Sequence, residues 1–99
     1  MTIFFINDQY DDRALGIYKE FQVTLPVKNV PYTIREVKLT GGEYILLLNE
    51  IKNEGIFINK KYAGEPGFHY ARFTEVPYNV LEWEKVDKIY KAQSNSAAV

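Results

Sequence analysis

The sequence predicts a mainly β domain, folded as a small antiparallel barrel and followed by one C-terminal helix. Short runs of β-branched and aromatic residues recur between turns rich in glycine, proline and asparagine. After Pro77 the spacing changes, and apolar residues recur every three or four positions as in an amphipathic helix. The chain has 99 residues, 15% of them aromatic, so it supports one core built from large rings. We expect the barrel domain over residues 1–78, and the helix with a frayed tail over residues 79–99.

The first quarter of the chain carries one clear strand signal. Residues 3–6 form a β-branched and aromatic run, which predicts the first strand. Residues 11–20 are expected to form one or two helical turns at most, because the segment is short and contains Gly16. The alternation of apolar and polar residues over 21–25 predicts a brief second strand.

The middle of the chain predicts a strand, a tight turn and a second, more apolar strand. Residues 30–39 are rich in strand formers, and a shift of the apolar phase near residues 35–36 predicts a bulge or strong bend. The glycine pair at 41–42 supplies the positive φ angles of a hairpin turn. Residues 44–51 then predict a strand that is buried on both faces.

The last third of the chain ends the β region and starts the helix. Residues 55–58 predict a short strand or loop, and residues 68–76 predict the strand that closes the barrel. Apolar residues then recur every three or four positions, which predicts a helix over 80–91. Asn79 is a good N-cap, with Glu82 three residues on as in a capping box. The predicted apolar face consists of Val80, Trp83, Val86, Ile89 and Tyr90.

Three segments resemble a group of small phage and prophage proteins. They are residues 32–37 (YTIREV), 46–51 (LLLNEI) and 65–76 (EPGFHYARFTEV), against the group's pattern YTVREI … LxLEEIxN … EPxFxAxRFRPL. The resemblance covers residues 1–78 and implies a compact SH3-like β-barrel, without implying an activity. The group's pattern ends in basic or proline-rich residues, whereas this chain has Thr-Glu-Val at 74–76.

Motifs and composition argue against an enzyme. The chain contains no cysteine and one histidine, His69, which lies among aromatic neighbours and is expected to be a structural or a surface residue rather than a general base. Asp8, Asp11 and Asp12 lack the spacing of a calcium-binding loop, and the glycine-containing turns lack the ending of a P-loop. We therefore predict no catalytic residues, no metal site and no cofactor.

Charge and hydropathy limit the classes of partner. The formal net charge is -1, which argues against general binding to polyanions such as nucleic acid. No apolar run approaches the ~20 residues of a membrane helix, and no signal-peptide pattern is visible at the N-terminus. The expected protein is soluble and cytoplasmic, with no membrane partner.

The surplus of aromatic residues predicts a binding function, although the same rings could simply fill a thin core. The predicted function is a non-enzymatic protein-interaction module of a phage, prophage or other mobile element, with an unidentified protein partner or a second copy of the chain. Tyr10 and Tyr18 are further candidates for surface aromatics. The predicted binding residues are Phe57, Lys60, Lys61, Tyr62, Phe68, Tyr70 and Arg72.

The alternative prediction is a small-barrel protein that binds single-stranded nucleic acid. Aromatic side chains stack with bases, and nearby cations neutralise phosphates. Lys60, Lys61 and Arg72 lie close in sequence to Tyr62, Phe68 and Tyr70, which is the arrangement that this function needs. The balanced total charge makes it the second choice.

Overall fold

A computed structural model describes residues 1–75 and 79–97 of the chain. Within these residues the chain forms eight strands, two α-helices and one 3-10 turn. The strands are β1 (Thr2–Phe5), β2 (Pro31–Thr40), β3 (Glu43–Leu48), β4 (Ile56–Ile58), β5 (Lys61–Gly64), β6 (Phe68–His69), β7 (Phe73–Glu75) and β8 (Asn79–Val80). The α-helices are α1 (Asp12–Glu20) and α2 (Trp83–Ala97), and the 3-10 turn is Tyr70–Arg72.

Six strands form one antiparallel sheet in the order β6-β3-β2-β1-β7-β8, and β4 and β5 form a separate hairpin. The prediction of a mainly β fold with a C-terminal helix is therefore confirmed. Among the strands that the structure describes, the sheet is open between β6 and β8 and does not close into a barrel.

The core lies where α2 packs against β2 and β3. Val86 of α2 is fully buried, and Ile89 and Tyr90 pack against the same cluster. Phe5 of β1 and Phe73 of β7 meet edge to face in this core, with their ring centroids 5.4 Å apart. The C-terminal helix therefore packs on the sheet of its own chain.

The predicted bend and turn of the central hairpin are confirmed. The register between β2 and β3 shifts between Ile34 and Glu36, so β2 contains the expected bulge. Gly41 and Gly42 connect the two strands with φ angles of 58° and 80°. Both angles lie in the left-handed region, which glycine adopts without the steric cost of a Cβ.

The segment at residues 11–20 forms a nine-residue helix, α1. Its N-cap is Asp11, whose side chain accepts a hydrogen bond from the Ala14 N–H at 2.7 Å. An aspartate at this position satisfies one of the free N–H groups of the first turn. The cap therefore supports a helix that the short sequence pattern predicts only weakly.

The prediction of a strand at residues 21–25 is wrong, because this segment is a loop. Its backbone closes the C-terminus of α1: the Val23 N–H donates to the Tyr18 carbonyl at 2.8 Å, and Gln22 has a left-handed φ of 53°. A backbone that caps a helix in this way cannot also extend into a strand.

The prediction for the start of the C-terminal helix is also wrong, since α2 begins at Trp83 rather than at residue 80. Asn79 does not cap the helix because it belongs to β8, where it pairs with Glu75. Trp83 departs from the predicted apolar face and is 51% exposed. Across the described residues, neither helix is both long and apolar enough to cross a bilayer.

The C-terminal part of α2 extends further than predicted. Residues 94–97 are helical rather than frayed, and residues 98–99 of the predicted tail lie outside the described residues. Just before these last helical residues, the Gln93 side-chain amide accepts a hydrogen bond from the Val37 N–H at 2.7 Å and donates one to the Val37 carbonyl at 2.8 Å. These two bonds fix α2 to the part of β2 that lies beyond its pairing with β1.

The strand predicted at residues 68–76 is interrupted. It consists of β6, the 3-10 turn Tyr70–Arg72 and β7, and its last residue, Val76, lies outside the described residues. On either side of this turn, β6 pairs with β3 and β7 pairs with β1.

Candidate functional site

The β4–β5 hairpin carries the most exposed pair of aromatic side chains among the described residues. Phe57 and Tyr62 are cross-strand partners in this hairpin, and they are 53% and 62% exposed. Their ring centroids lie 5.3 Å apart with an interplanar angle of 39°. The Tyr62 hydroxyl lies so close to Gly55 that a Cβ there would come within 2.1 Å of it. Glycine at this position therefore gives Tyr62 room to lie across the base of the hairpin.

The tip of the hairpin is a two-residue turn. Asn59 and Lys60 have φ angles of 51° and 65°, so both adopt left-handed backbone conformations. A two-residue turn with this geometry matches the right-handed twist of the two strands that it connects. Asparagine tolerates it well, whereas lysine has a clash between its Cβ and the carbonyl oxygen.

We expect Lys60→Gly to raise the free energy of unfolding by about 0.5–1 kcal/mol, because glycine removes this clash. The measurement is urea denaturation followed by circular dichroism. Lys61→Gly is the matched control, since Lys61 lies in β5 and a glycine there should weaken the strand. Equal effects from both substitutions would contradict the turn geometry.

The base of the hairpin is held by a hydrogen-bonded group, the hairpin clamp, which consists of Arg35, Asn53 and Glu65. The Arg35 guanidinium donates to Glu65 Oε2 at 2.6 Å, and the Asn53 N–H donates to the same oxygen at 3.1 Å. Arg35 Nε also donates to the Leu48 carbonyl of β3 at 3.0 Å. Asn53 and Glu65 flank the hairpin on either side, so the clamp fixes both of its ends to the main sheet.

The electrostatics of the clamp centre on the Glu65 carboxylate. Its burial alone would raise its pKa, but the hydrogen bonds from Arg35 and the Asn53 N–H hold the pKa below 4.5, the usual value. Lys38 adds positive charge nearby and donates to the Glu65 carbonyl at 3.2 Å. The carboxylate is therefore ionised at neutral pH and paired with Arg35.

Asn53 also connects the hairpin to the chain that follows α1. Its side-chain Oδ1 accepts from the Thr24 N–H at 2.7 Å, and its Nδ2 donates to the Thr24 carbonyl at 3.0 Å. The Asn53 amide thus pairs with both the backbone N–H and the backbone carbonyl of Thr24, as a neighbouring strand would. The hairpin and α1 are thus held on the same side of the molecule.

Helix α1 contributes no fully buried residue to the structure. Its Tyr18 packs edge to face on Tyr10, with ring centroids 5.3 Å apart, while Leu15 is exposed. A shallow depression of about 240 Å³ lies between α1 and the hairpin. We call the apolar groups along it, together with Tyr62, the hairpin–helix surface. It consists of Ile17, Phe21, Phe57, Ile58 and Tyr62.

The structure brings together four of the seven predicted binding residues. Phe57, Lys60, Lys61 and Tyr62 all lie on the β4–β5 hairpin or its turn. Phe68 does not join them, because it is 3% exposed and belongs to the core.

The other two predicted binding residues lie elsewhere. Arg72 lies over the Tyr10 ring, 4.1 Å from its centroid, and donates to the Asn7 and Gln9 carbonyls at 3.0 Å and 2.7 Å. Its guanidinium therefore holds the N-terminal loop in place. Tyr10 is partly buried and packs against the core and against Tyr18, so its ring is a packing group rather than a surface aromatic, and this burial raises the pKa of Tyr10 to about 12. Tyr70 lies in the 3-10 turn, with its ring centroid 6.5 Å from that of Tyr44.

Sequence reasoning does not identify Ile17, Phe21 and Ile58 as part of the site. A signal for the first two was present, since residues 14, 17, 18 and 21 recur with the spacing of one helix face. The structure places these four side chains half-buried on one side of α1. No sequence pattern marks Ile58 as part of the site, because its exposure depends on the position of the β4–β5 hairpin relative to the main sheet.

His69 is fully engaged in hydrogen bonds. Its Nδ1 accepts from the Ala71 N–H at 3.1 Å, so Nε2 carries the proton and donates to Glu43 Oε2 at 2.6 Å. A general base needs a free ring nitrogen directed at a substrate, which this arrangement does not offer. In the described part of the chain, no group of three histidine, aspartate or glutamate residues is placed to bind a metal ion.

Comparison with protein-family models, with curated proteins and with solved structures finds no match to this chain. The phage and prophage resemblance therefore stays a prediction. What the protein binds is inferred from its own surfaces.

Proposed function

We propose that the protein is a non-enzymatic interaction module that binds a protein partner through the hairpin–helix surface. The observation that carries this proposal is the Phe57–Tyr62 pair: both side chains are more than half exposed, yet their rings are in tilted contact across the hairpin. Aromatic side chains that are fixed before binding lose little conformational entropy in a complex. They are also typical of the residues that dominate binding energy at protein interfaces.

The lack of buried residues in α1 supports the same proposal. A helix without any buried residue gains little stability from its own domain, since most helical stability comes from packing an apolar face. A partner seated across Ile17, Phe21 and Phe57 would complete that packing. Full burial of an exposed large side chain contributes about 1.5–3 kcal/mol, and each of these partly buried side chains would contribute only the part that its remaining exposed area represents.

The fold and origin predicted from the resemblance belong to this proposal. The bulge between Ile34 and Glu36 supports an SH3-like barrel relationship, because small barrels need such bends in their long strands. A phage or prophage origin rests on the resemblance of residues 32–37, 46–51 and 65–76, and a cytoplasmic location rests on the hydropathy of the sequence.

The test is capture of a partner from a bacterial lysate by the tagged protein after nuclease treatment, quantified by mass spectrometry. We expect Phe57→Thr with Tyr62→Thr to reduce the recovered partner at least about tenfold, since threonine keeps the strand but removes both rings. Val27→Thr is the matched control, because Val27 is exposed in the loop before β2 and lines none of the described depressions.

Undiminished capture by a folded double variant would contradict the assignment of the site. Recovery of the chain's own second copy would make the surface a dimer interface. In that case the same substitutions should convert a dimer to a monomer in sedimentation analysis.

Binding of single-stranded nucleic acid is the second candidate function. The observation that favours it is the position of Lys60 and Lys61, at the tip of the hairpin and beside the Phe57–Tyr62 pair. If this function is correct, nuclease treatment removes the captured material, and affinity falls steeply between about 50 and 200 mM salt. Lys60→Gln with Lys61→Gln should then weaken binding as strongly as loss of the rings.

A further inference from the structure

A second surface, the aromatic trough, lies where the β2–β3 turn, the 3-10 turn and the start of α2 meet. It consists of two adjoining depressions of about 420 and 450 Å³, and both are lined by Tyr70 and Trp83. None of its lining residues belongs to the hairpin–helix surface. The residues that define the trough are Glu43, Tyr44, Tyr70, Glu82, Trp83 and Glu84.

Three aromatic side chains form the walls of the trough. The Tyr44 and Tyr70 rings meet at 70° with their centroids 6.5 Å apart, so they form a corner. Trp83 lies beside them with about half of its surface exposed. The faces of such rings carry a negative electrostatic potential that attracts cations, most strongly for tryptophan.

Two contacts hold these rings in position. The Tyr44 hydroxyl donates a hydrogen bond to Asp87 of α2, and this bond raises the pKa of Tyr44 to about 12. Tyr70 stacks on His69, with the ring centroids 4.9 Å apart. A site whose walls are fixed before binding needs little reorganisation to accept a ligand.

The charges that line the trough are negative. Glu43, Glu82 and Glu84 are exposed glutamates in the lining, and Glu43 accepts a hydrogen bond from His69. The N-terminus of α2 contributes a partial charge of about +0.5, which three carboxylates outweigh. Lys85, the nearest lysine in sequence, forms an ion pair with Glu75.

We propose that the aromatic trough binds the side chain of an arginine presented by a protein partner. The aromatic faces match the delocalised cation, and the three carboxylates complement its charge and offer acceptors for its N–H groups. The trough therefore gives the protein a second binding surface, separate from the one that carries the proposed function.

The test uses Trp83 as the reporter, because it is the only tryptophan of the chain. The probe is a capped hexapeptide of alternating glycine and arginine, and the matched probe has citrulline, a neutral isostere, at each arginine position. We expect the arginine peptide to change Trp83 emission in a saturable manner, with an affinity at least about tenfold higher than that of the citrulline peptide. Equal affinity for both peptides would overturn the proposal.

A set of variants tests the role of the carboxylates. The triple variant Glu43→Gln, Glu82→Gln, Glu84→Gln should weaken binding of the arginine peptide about tenfold or more, at about two- to threefold for each exposed carboxylate. Glu54→Gln, an exposed glutamate in another loop, should leave the affinity unchanged. Unchanged affinity in the triple variant would overturn the proposal.

Two further controls distinguish the aromatic trough from the hairpin–helix surface and from self-association. Phe57→Thr with Tyr62→Thr should keep full affinity for the arginine peptide, even where it abolishes capture of the lysate partner. The two proposals can therefore fail independently. A shift of Trp83 emission on dilution without any peptide would show that a second copy occupies the trough, and it would overturn the proposal.

Discussion

Replacement of Phe73 by alanine is expected to lower the free energy of unfolding by about 3–5 kcal/mol. Phe73 is 1% exposed, and its ring packs edge to face on Phe5, so its loss leaves a cavity between β1 and β7. A domain of this size has a total stability of roughly 5–15 kcal/mol. The variant should therefore unfold at a much lower urea concentration, as measured by circular dichroism.

Phe57→Ala is the control for this prediction. It makes the same chemical change at an exposed position, where we expect a loss of about 1 kcal/mol or less. If both variants lost the same stability, Phe73 would not be a core residue, and the placement of β7 beside β1 would be contradicted.

Replacement of Arg35 by leucine is expected to lower the free energy of unfolding by about 2 kcal/mol at neutral pH. The substitution removes the hydrogen bonds to Leu48 and Glu65 and leaves the Glu65 carboxylate without its cation. Because the hairpin clamp fixes the base of the hairpin, the same variant should also capture less partner protein. Arg13→Leu, an exposed arginine of α1, is the control for stability and should change it by no more than ~0.5 kcal/mol.

The effect of Arg35→Leu should depend on pH. The pKa of Glu65 in the folded protein lies below 4.5, the unperturbed value, so the clamp stabilises the fold fully above that pH. As the pH falls through the lowered pKa, Glu65 takes up a proton and the stabilisation is lost. The stability difference between wild type and variant should therefore be constant above pH 4.5 and shrink as the pH falls through the lowered pKa. A difference that does not shrink at any acid pH at which the wild type is still folded would contradict the role of Glu65.

Much of the sheet could be predicted because its signals are local. The bulge near residues 35–36 is visible as a phase shift of the apolar residues within one strand. The turn at 41–42 is visible because its two positive φ angles favour glycine at those two positions. The loop at 21–25 could not be predicted in this way. Its alternation is that of a strand, but the Val23 N–H is used to close α1.

The site was predictable only in part, because exposure is decided by distant contacts. Phe57 and Phe68 both occur in short β runs, and their sequences do not distinguish them. Phe68 is buried because β6 pairs with β3 beside Leu46, whereas among the described strands β4 pairs only with β5. The sequence predicts Arg72 as an exposed cation at a binding site. In the structure its guanidinium donates to the carbonyls of Asn7 and Gln9, which are far from it in the sequence.

Hydrogen exchange of the backbone amides, measured on the free protein and on the protein saturated with its captured partner, tests the hairpin–helix surface most directly. In the free protein, we expect α1 to exchange faster than β2 and β3, because none of its residues is buried. Binding should then slow the exchange of α1 and residues 56–62 at least about tenfold and leave the β2–β3 turn unchanged. Partner binding that leaves the exchange of α1 and of residues 56–62 unchanged would contradict the proposed function.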